Sequence, residues 1–206
     1  MGCLRGWSSL HLNLRFAKTF LPKIPKLKNL SVIGLGKLGL PLALTFCKRG
    51  FKVYGVDANR NRILEITLGE RFSEPSVNDY LKKYGNHLLL SNEHDFSNFD
   101  VAFILVQSPS LPSDKFDLQY VESALKQLND VNPDCLAVVS STINIGDTDR
   151  LTAIHERIVY NPEFIKQGSI IHDFENPKFV LMGAYTKEDA NELTDIWKKV
   201  HNKPVY

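Results

Sequence analysis

No Asp or Glu precedes Asp57 in this 206-residue chain. Six cations, Arg5, Arg15, Lys18, Lys23, Lys26 and Lys28, therefore stand unopposed in residues 1–30, although the whole chain nets only +2. So small a net charge argues against a nucleic-acid-binding protein, and the basic bias belongs to the N terminus alone. Cysteine is scarce as well. Cys3, Cys47 and Cys135 are odd in number and far apart, with no metal or redox spacing, which suits a reducing, cytoplasmic compartment and implies no metal site. No uncharged apolar run approaches the roughly 20 residues of a transmembrane segment. Internal repeats and low-complexity tracts are missing too. What remains is a chain with 43% hydrophobic residues, enough for one generous domain, or one domain and an appendage.

Residues 1–28 read as a basic extension outside the fold, poorly ordered. They lack the compact apolar core of a secretory signal. An organelle transit peptide, or a helix lying on an anionic membrane, is the functional alternative. "LPKIPKLK" reads as a stiff linker. The folded domain is expected over 29–206.

From residue 29 strands and helices alternate. "NLSVIGLG", "FKVYGVD", "HLLLS", "VAFILVQ", "CLAVVSST", "RIVYN" and "FVLMGA" read as strands. "LGLPLALTFCKRG" reads as a helix closed by Gly50, with Lys48 and Arg49 in its last turn. Further helices are expected in "NRNRILEITLGE", "VNDYLKKYG" and "LQYVESALKQLND", the last with Val121, Leu125 and Leu128 inward. Thr186 and Asp189 have the spacing of a capping box before a helix that buries Ala190, Leu193, Trp197 and Val200. This alternation predicts an α/β, Rossmann-like doubly wound fold with a mainly parallel sheet and helices on both faces. Ligand sites then lie at the carboxyl ends of the strands.

"GLGKLG" supplies Gly34, Gly36 and Gly39 with Leu35, Lys37 and Leu38 between them. The loop follows a strand and opens a helix, as a dinucleotide-binding fingerprint requires. Gly34 permits the tight turn, Gly36 admits the pyrophosphate to the backbone, and Gly39 lets helix and strand approach. Asp57 closes the second strand, where a carboxylate accepts ribose hydroxyls and repels a 2′-phosphate; the cofactor is expected to be NAD. Arg62 is the competing signal, since a nearby Arg can welcome a 2′-phosphate. FAD or S-adenosylmethionine binding is compatible with the loop alone.

Five ordered stretches together carry a more specific signal. "SVIGLGKLGLPLALTFCKRGFKVYGVDANRNRI" resembles the opening of the UDP-glucose/GDP-mannose dehydrogenase family, the nucleotide-sugar dehydrogenases. "SEPSV", "FILVQSPSLPSDKFDLQYV", "SSTINIGDTD" and "YNPEFIKQGSIIHDFENPKFVLMG" resemble its later motifs in the same order. The resemblance implies oxidation of a sugar C6 alcohol to a carboxylate in two hydride transfers with NAD, through a thioester on a Cys of a second domain. It implies an acid/base role for Glu163 and a water-positioning role for Thr142. It places Arg62, Val106, Ser108, Ser141, Thr142 and Gln167 at cofactor-contacting positions. It sets Glu163, Phe164, Ile165, Lys166 and Gln167 along the substrate sugar. Read without it, Glu163 is a first-turn helix carboxylate.

Some positions depart from the family pattern. Gln107 and Ser108 replace its Pro or Asn and Thr. Gln167 stands where a second Glu is usual, and Phe179 stands for an Arg. The family's linking helix with its Lys, and its second domain with the Cys nucleophile, are expected to be absent after "HNKPVY". Cys47 and Cys135 read as buried, inert thiols. The chain is accordingly expected to be the NAD-binding half of a nucleotide-sugar 6-dehydrogenase, inactive alone. Its expected partners are a nucleotide-sugar substrate and a separate chain or missing domain supplying Cys and Lys. The alternatives are a non-catalytic module that binds NAD or a partner, and a relative of the β-hydroxyacid dehydrogenases.

Overall fold

Four apolar tetrapeptides form the middle of the sheet because every one of their side chains, or all but one, has a buried environment. They are β1 (Leu30–Ile33), β2 (Val53–Val56), β4 (Val101–Ile104) and β5 (Leu136–Val139). Runs apolar on both faces belong in a parallel sheet covered on both sides. The computed structural model describes residues 27–91 and 99–206, so the expectations for residues 1–26, Cys3 included, lie outside the described residues. β3 (Leu88–Ser91), β6 (Ile158–Tyr160) and β7 (Gly183–Ala184) complete the sheet in the order β3-β2-β1-β4-β5-β6-β7, with only β7 antiparallel. β1 lies between β2 and β4, so the chain reverses its direction of travel across the sheet there. That reversal opens the crevice in which doubly wound folds bind ligands.

Seven helices flank the sheet among the described residues. α1 (Gly39–Lys48) ends as expected, with Gly50 at φ +84° and its N–H donated to the Cys47 carbonyl at 3.0 Å. α2 (Arg60–Thr67) begins at Asn59, whose side chain accepts the Asn61 N–H at 3.0 Å. α3 (Val77–Tyr84) and α4 (Gln119–Val131) follow the predicted patterns. α7 (Lys187–Val200) is capped by Thr186, which accepts the Asp189 N–H at 3.1 Å and donates to the Asp189 carboxylate at 2.7 Å. The other Asp189 oxygen takes the Arg157 guanidinium at 2.6 Å, so one buried carboxylate both caps the helix and anchors it to the strand β6 side. Trp197 of α7 is fully enclosed among Phe46, Phe103 and Phe174.

Two short helices, α5 (Asp147–Thr152) and α6 (Ile170–Glu175), carry too few residues to display a period and were not legible. The strand predicted in "FVLMGA" shrinks to Gly183–Ala184. Its earlier part pairs instead with residues 204–206: Val180 N–H donates to the Pro204 carbonyl at 2.9 Å, and Met182 N–H to that of Tyr206 at 2.8 Å. β5 also ends earlier than "CLAVVSST" suggested, because the Ser140 and Ser141 N–H groups both turn onto the Ile104 carbonyl of β4. No helix among the described residues is long and apolar enough to cross a membrane.

Candidate dinucleotide site and enclosed carboxyl

The turn between β1 and α1 has the geometry its glycines imply. Gly34 sits at φ +93°, a region that side-chain-bearing residues rarely adopt. A Cβ on Gly39 would lie 1.8 Å from the Gly34 carbonyl oxygen, whereas one on Gly36 would meet nothing within 4 Å. Gly39 is therefore required by the fold, and Gly36 keeps open a surface that the fold does not use. Lys37 is exposed, Leu38 half-buried and the Leu35 side chain fully buried, so this loop presents backbone rather than side chains. α1 has no acidic residue in its first turn and no side-chain cap, which leaves its positive dipole end available to an anion.

Asp57 ties the crevice together. One carboxylate oxygen accepts the Leu35 N–H at 2.8 Å, and the other accepts the Asn59 N–H at 2.8 Å. A carboxylate has about four acceptor sites, so it keeps capacity for ribose hydroxyls. Arg62 is committed elsewhere. Its Nε donates to the Leu35 carbonyl at 2.7 Å, its Nη1 pairs with Glu65 at 3.1 Å, and its guanidinium lies 4.7 Å from the centre of the Phe72 ring. Arg62 thus braces the glycine loop and is not held free for a 2′-phosphate. A cleft of about 380 Å³ opens at this point, lined by Gly34, Gly36, Asp57, Val106 and, from α4, Tyr120 and Gln127. The α4 residues went unforeseen because their side chains carry no motif.

Ser141 and Val106 meet. The Ser141 hydroxyl donates to the Val106 carbonyl at 2.8 Å and so couples the loops that leave β4 and β5. Ser108 is half-buried and Thr142 exposed on those same loops.

Beyond β6 the chain runs "NPEFIKQGS". Asn161 is buried. Its Nδ2 donates to the Leu181 carbonyl at 2.9 Å, and its Oδ1 accepts the Trp197 indole N–H at 3.0 Å. That anchorage sets the direction of the next residues. Glu163 is only half-buried as a residue, yet its carboxyl is enclosed, with Oε1 out of reach of solvent and without a hydrogen-bond partner. Burial pushes the acid up to about 8, while the Ser140 hydroxyl pulls in the opposite direction without reaching hydrogen-bond geometry. Among the described residues no Lys or Arg lines the small cavity beside it; Asp173, Phe174, Phe179 and Trp197 do. Phe164, Lys166 and Gln167 are exposed and Ile165 half-buried, so these four form the outer surface of the loop. The loop is pinned at its far end: Asp173 accepts the Lys166 N–H at 3.0 Å, and Glu74 accepts the N–H groups of Gly168 and Ile170. Glu74 comes from the "SEPSV" stretch, whose pattern was visible but whose partner was not.

Among the described residues the cysteines, Cys47 and Cys135, are free and buried. Burial pushes both Cys47 and Cys135 up to about 12, so neither is a thiolate at neutral pH.

Comparison with known proteins identifies the family of this domain. Residues 28–201 match the UDP-glucose/GDP-mannose dehydrogenase family, NAD binding domain. A UDP-glucose 6-dehydrogenase from Rickettsia prowazekii is 29% identical over 82% of this chain and 42% of its own. A UDP-N-acetyl-D-mannosamine dehydrogenase from Methanococcus vannielii is 31% identical over 88% of this chain and 44% of its own. Among solved structures, a UDP-glucose dehydrogenase from the archaeon Pyrobaculum islandicum has a TM-score of 0.82 at 29% identity, covering 90% of this chain and 47% of that one. The chain spans less than half the length of each of these relatives.

Proposed function

This chain belongs to the UDP-glucose/GDP-mannose dehydrogenase family through its NAD-binding domain, and from that premise we propose that it is the cofactor half of a nucleotide-sugar 6-dehydrogenase. The observation that carries the proposal is the Glu163 carboxyl, enclosed and far above the usual carboxylate range, at the same sheet end as the glycine loop and Asp57.

NAD fits the residues present: an open approach at Gly36, an uncompensated α1 N terminus, and a carboxylate with acceptors to spare at Asp57. When bound, it accepts the hydride removed from the sugar carbon. Gly34 to Gly39 would hold its pyrophosphate by backbone N–H groups, and Asp57 would take its ribose hydroxyls. By the family resemblance, Val106, Ser108, Ser141 and Thr142 would contact the cofactor. Glu163 works as the acid/base group. An acid near pH 8 is about one-tenth ionised at pH 7, so both proton-accepting and proton-donating forms are populated. Phe164, Ile165, Lys166 and Gln167 follow the substrate, and Thr142 positions the hydrolytic water. By the family resemblance, a thiolate nucleophile and a Lys would come from a further domain or a second chain; the described cysteines, Cys47 and Cys135, are buried thiols.

Calorimetric titration of the chain with NAD+ and NADP+ tests the cofactor half. Saturable NAD+ binding with at least tenfold weaker NADP+ binding is expected. Equal binding of the two, or none by folded protein, would overturn the assignment. A module that only binds NAD, with no catalytic role, is the second reading, favoured by the exposed Gln167 in place of a second acid. Turnover of a nucleotide sugar after addition of a chain bearing the Cys and Lys separates the two.

A further inference from the structure

Two adjacent serines, Ser140 and Ser141, follow β5. Both backbone N–H groups donate to the Ile104 carbonyl, at 3.0 Å for Ser140 and 3.1 Å for Ser141. The Ser141 hydroxyl goes to the β4 side, onto the Val106 carbonyl. The Ser140 hydroxyl takes no such partner: its Oγ is buried without a hydrogen bond. On the other side of β5 lies β6, with Val139 abreast of Tyr160 and the Asn161 N–H on the Val139 carbonyl at 2.9 Å. The chain that carries Glu163 therefore leaves β6 beside Ser140. Ser140 Oγ and Glu163 Oε1 are both buried side-chain atoms without a hydrogen-bond partner.

Resting on the acid/base reading of Glu163, we propose that Ser140 is its positioning residue and proton partner: the hydroxyl donates to the carboxylate and accepts from the carboxylic acid. A hydroxyl can do both by rotating about its C–O bond, so it follows the carboxyl through either state without itself changing protonation. One proton is gained or lost, at Glu163 alone. Burial raises the acid, and Ser140 opposes the rise, the sense expected of a donor to the charged form.

The competing groups are few. On α6, Asp173 shares the cavity but is held charged: burial works against the charge, and the Lys166 N–H, the Ser169 hydroxyl and His172 outweigh it. α7 contributes Trp197, whose indole N–H is spent on Asn161, with His201 stacked behind it. On β6, Tyr160 turns to the Ile143 backbone. The 177–180 segment contributes Pro177, Phe179 and Val180 to the lining.

The test is a carboxyl-carbon NMR pH titration of the full chain labelled in glutamate, needing neither cofactor nor substrate. Glu163 is assigned by the signal lost in E163Q. In S140A its midpoint should rise, leaving a roughly three- to tenfold smaller ionised fraction at a fixed pH below it, the excess of a hydrogen bond to the charged carboxylate over one to the neutral acid. S141A should leave the midpoint in place. An unchanged midpoint in S140A, or an equal shift in S141A, would overturn the role of Ser140 while leaving Glu163 as the acid. If no glutamate titrates near pH 8 in the unsubstituted chain, the Glu163 reading itself fails. The infrared band of the protonated acid, also assigned through E163Q, should have the frequency of a hydrogen-bonded carboxyl in the unsubstituted chain; a free-acid band would overturn the proposal without any Ser140 variant.

Discussion

Glu74 grips Gly168 and its near neighbour Ile170 with separate oxygens, Oε2 on one N–H and Oε1 on the other, each at 3.0 Å. The relationship links the loop before α3 to the loop that carries Glu163. The same loop places Phe72 under Arg62, which braces the glycine turn through the Leu35 carbonyl. Cofactor loop and acid loop are thus held by one short segment. Glu74→Ala removes two charge-assisted bonds at a partly exposed site and should cost about 1–3 kcal/mol. Glu74→Gln keeps one acceptor and should cost less. Urea denaturation at constant m-value measures both.

The second and third glycines of the fingerprint should behave oppositely. Gly39→Ala puts a methyl 1.8 Å from the Gly34 oxygen and has to displace backbone. A loss of several kcal/mol, or no folded protein, is expected, since overpacking against backbone exceeds the usual ~1–3 kcal/mol of a core strain. Gly36→Ala meets nothing within 4 Å, so its melting temperature should stay near that of the unsubstituted chain while NAD+ affinity falls. Thermal melts and calorimetry on the two variants decide the matter.

Asp57→Asn should narrow the preference for NAD+ over NADP+ by roughly tenfold or more, equivalent to about 1.4 kcal/mol, by removing the charge that repels a 2′-phosphate. The amide still offers one acceptor, so only one of the Leu35 and Asn59 N–H bonds is lost. Binding of the two cofactors is the readout.

Stability should fall with rising pH because of Glu163. Its folded-state acid is raised from 4.5 to about 8, so between those values the native chain holds a proton that the unfolded chain has released. The contribution is complete below about pH 4.5 and is lost as pH rises through about 8, with a slope of up to ~1.4 kcal/mol per pH unit. Glu163→Gln should flatten that slope. Burial lowers His155 and His201, which act in the other direction as pH falls. Both are present in the chain with and without the substitution, so the difference between the two pH curves isolates Glu163. Identical curves would refute an enclosed carboxyl.

Trp197→Phe should cost about 1–3 kcal/mol by leaving the Asn161 Oδ1 buried and unpaired. Because Asn161 directs the chain toward Glu163, the variant should also disturb the Glu163 titration. Chemical denaturation and the carboxyl NMR signal report the two effects separately.

The local chemistry of this chain was legible residue by residue. Apolar tetrapeptides, the spacing of "GLGKLG", Gly50 after α1, the Thr186 cap and Asp57 after β2 all act within a few positions of one another, so a linear reading finds them. The elements that went unseen, α5 and α6, are too brief for a period to register, and β7 was read too long because its earlier residues pair with 204–206. The contacts of Arg62 to Leu35 and Phe72 were not decidable from spacing, because they join residues well separated along the chain. Glu163 is the sharpest case. Its position after Asn-Pro was plain, but desolvation is a property of everything that packs around a group, and the walls of its cavity come from α6, α7 and residues 177–180. By itself the sequence determined which residues could do dinucleotide and proton chemistry. Only the tertiary structure decided which carboxyl stays dry, because burial is set by residues far apart along the chain.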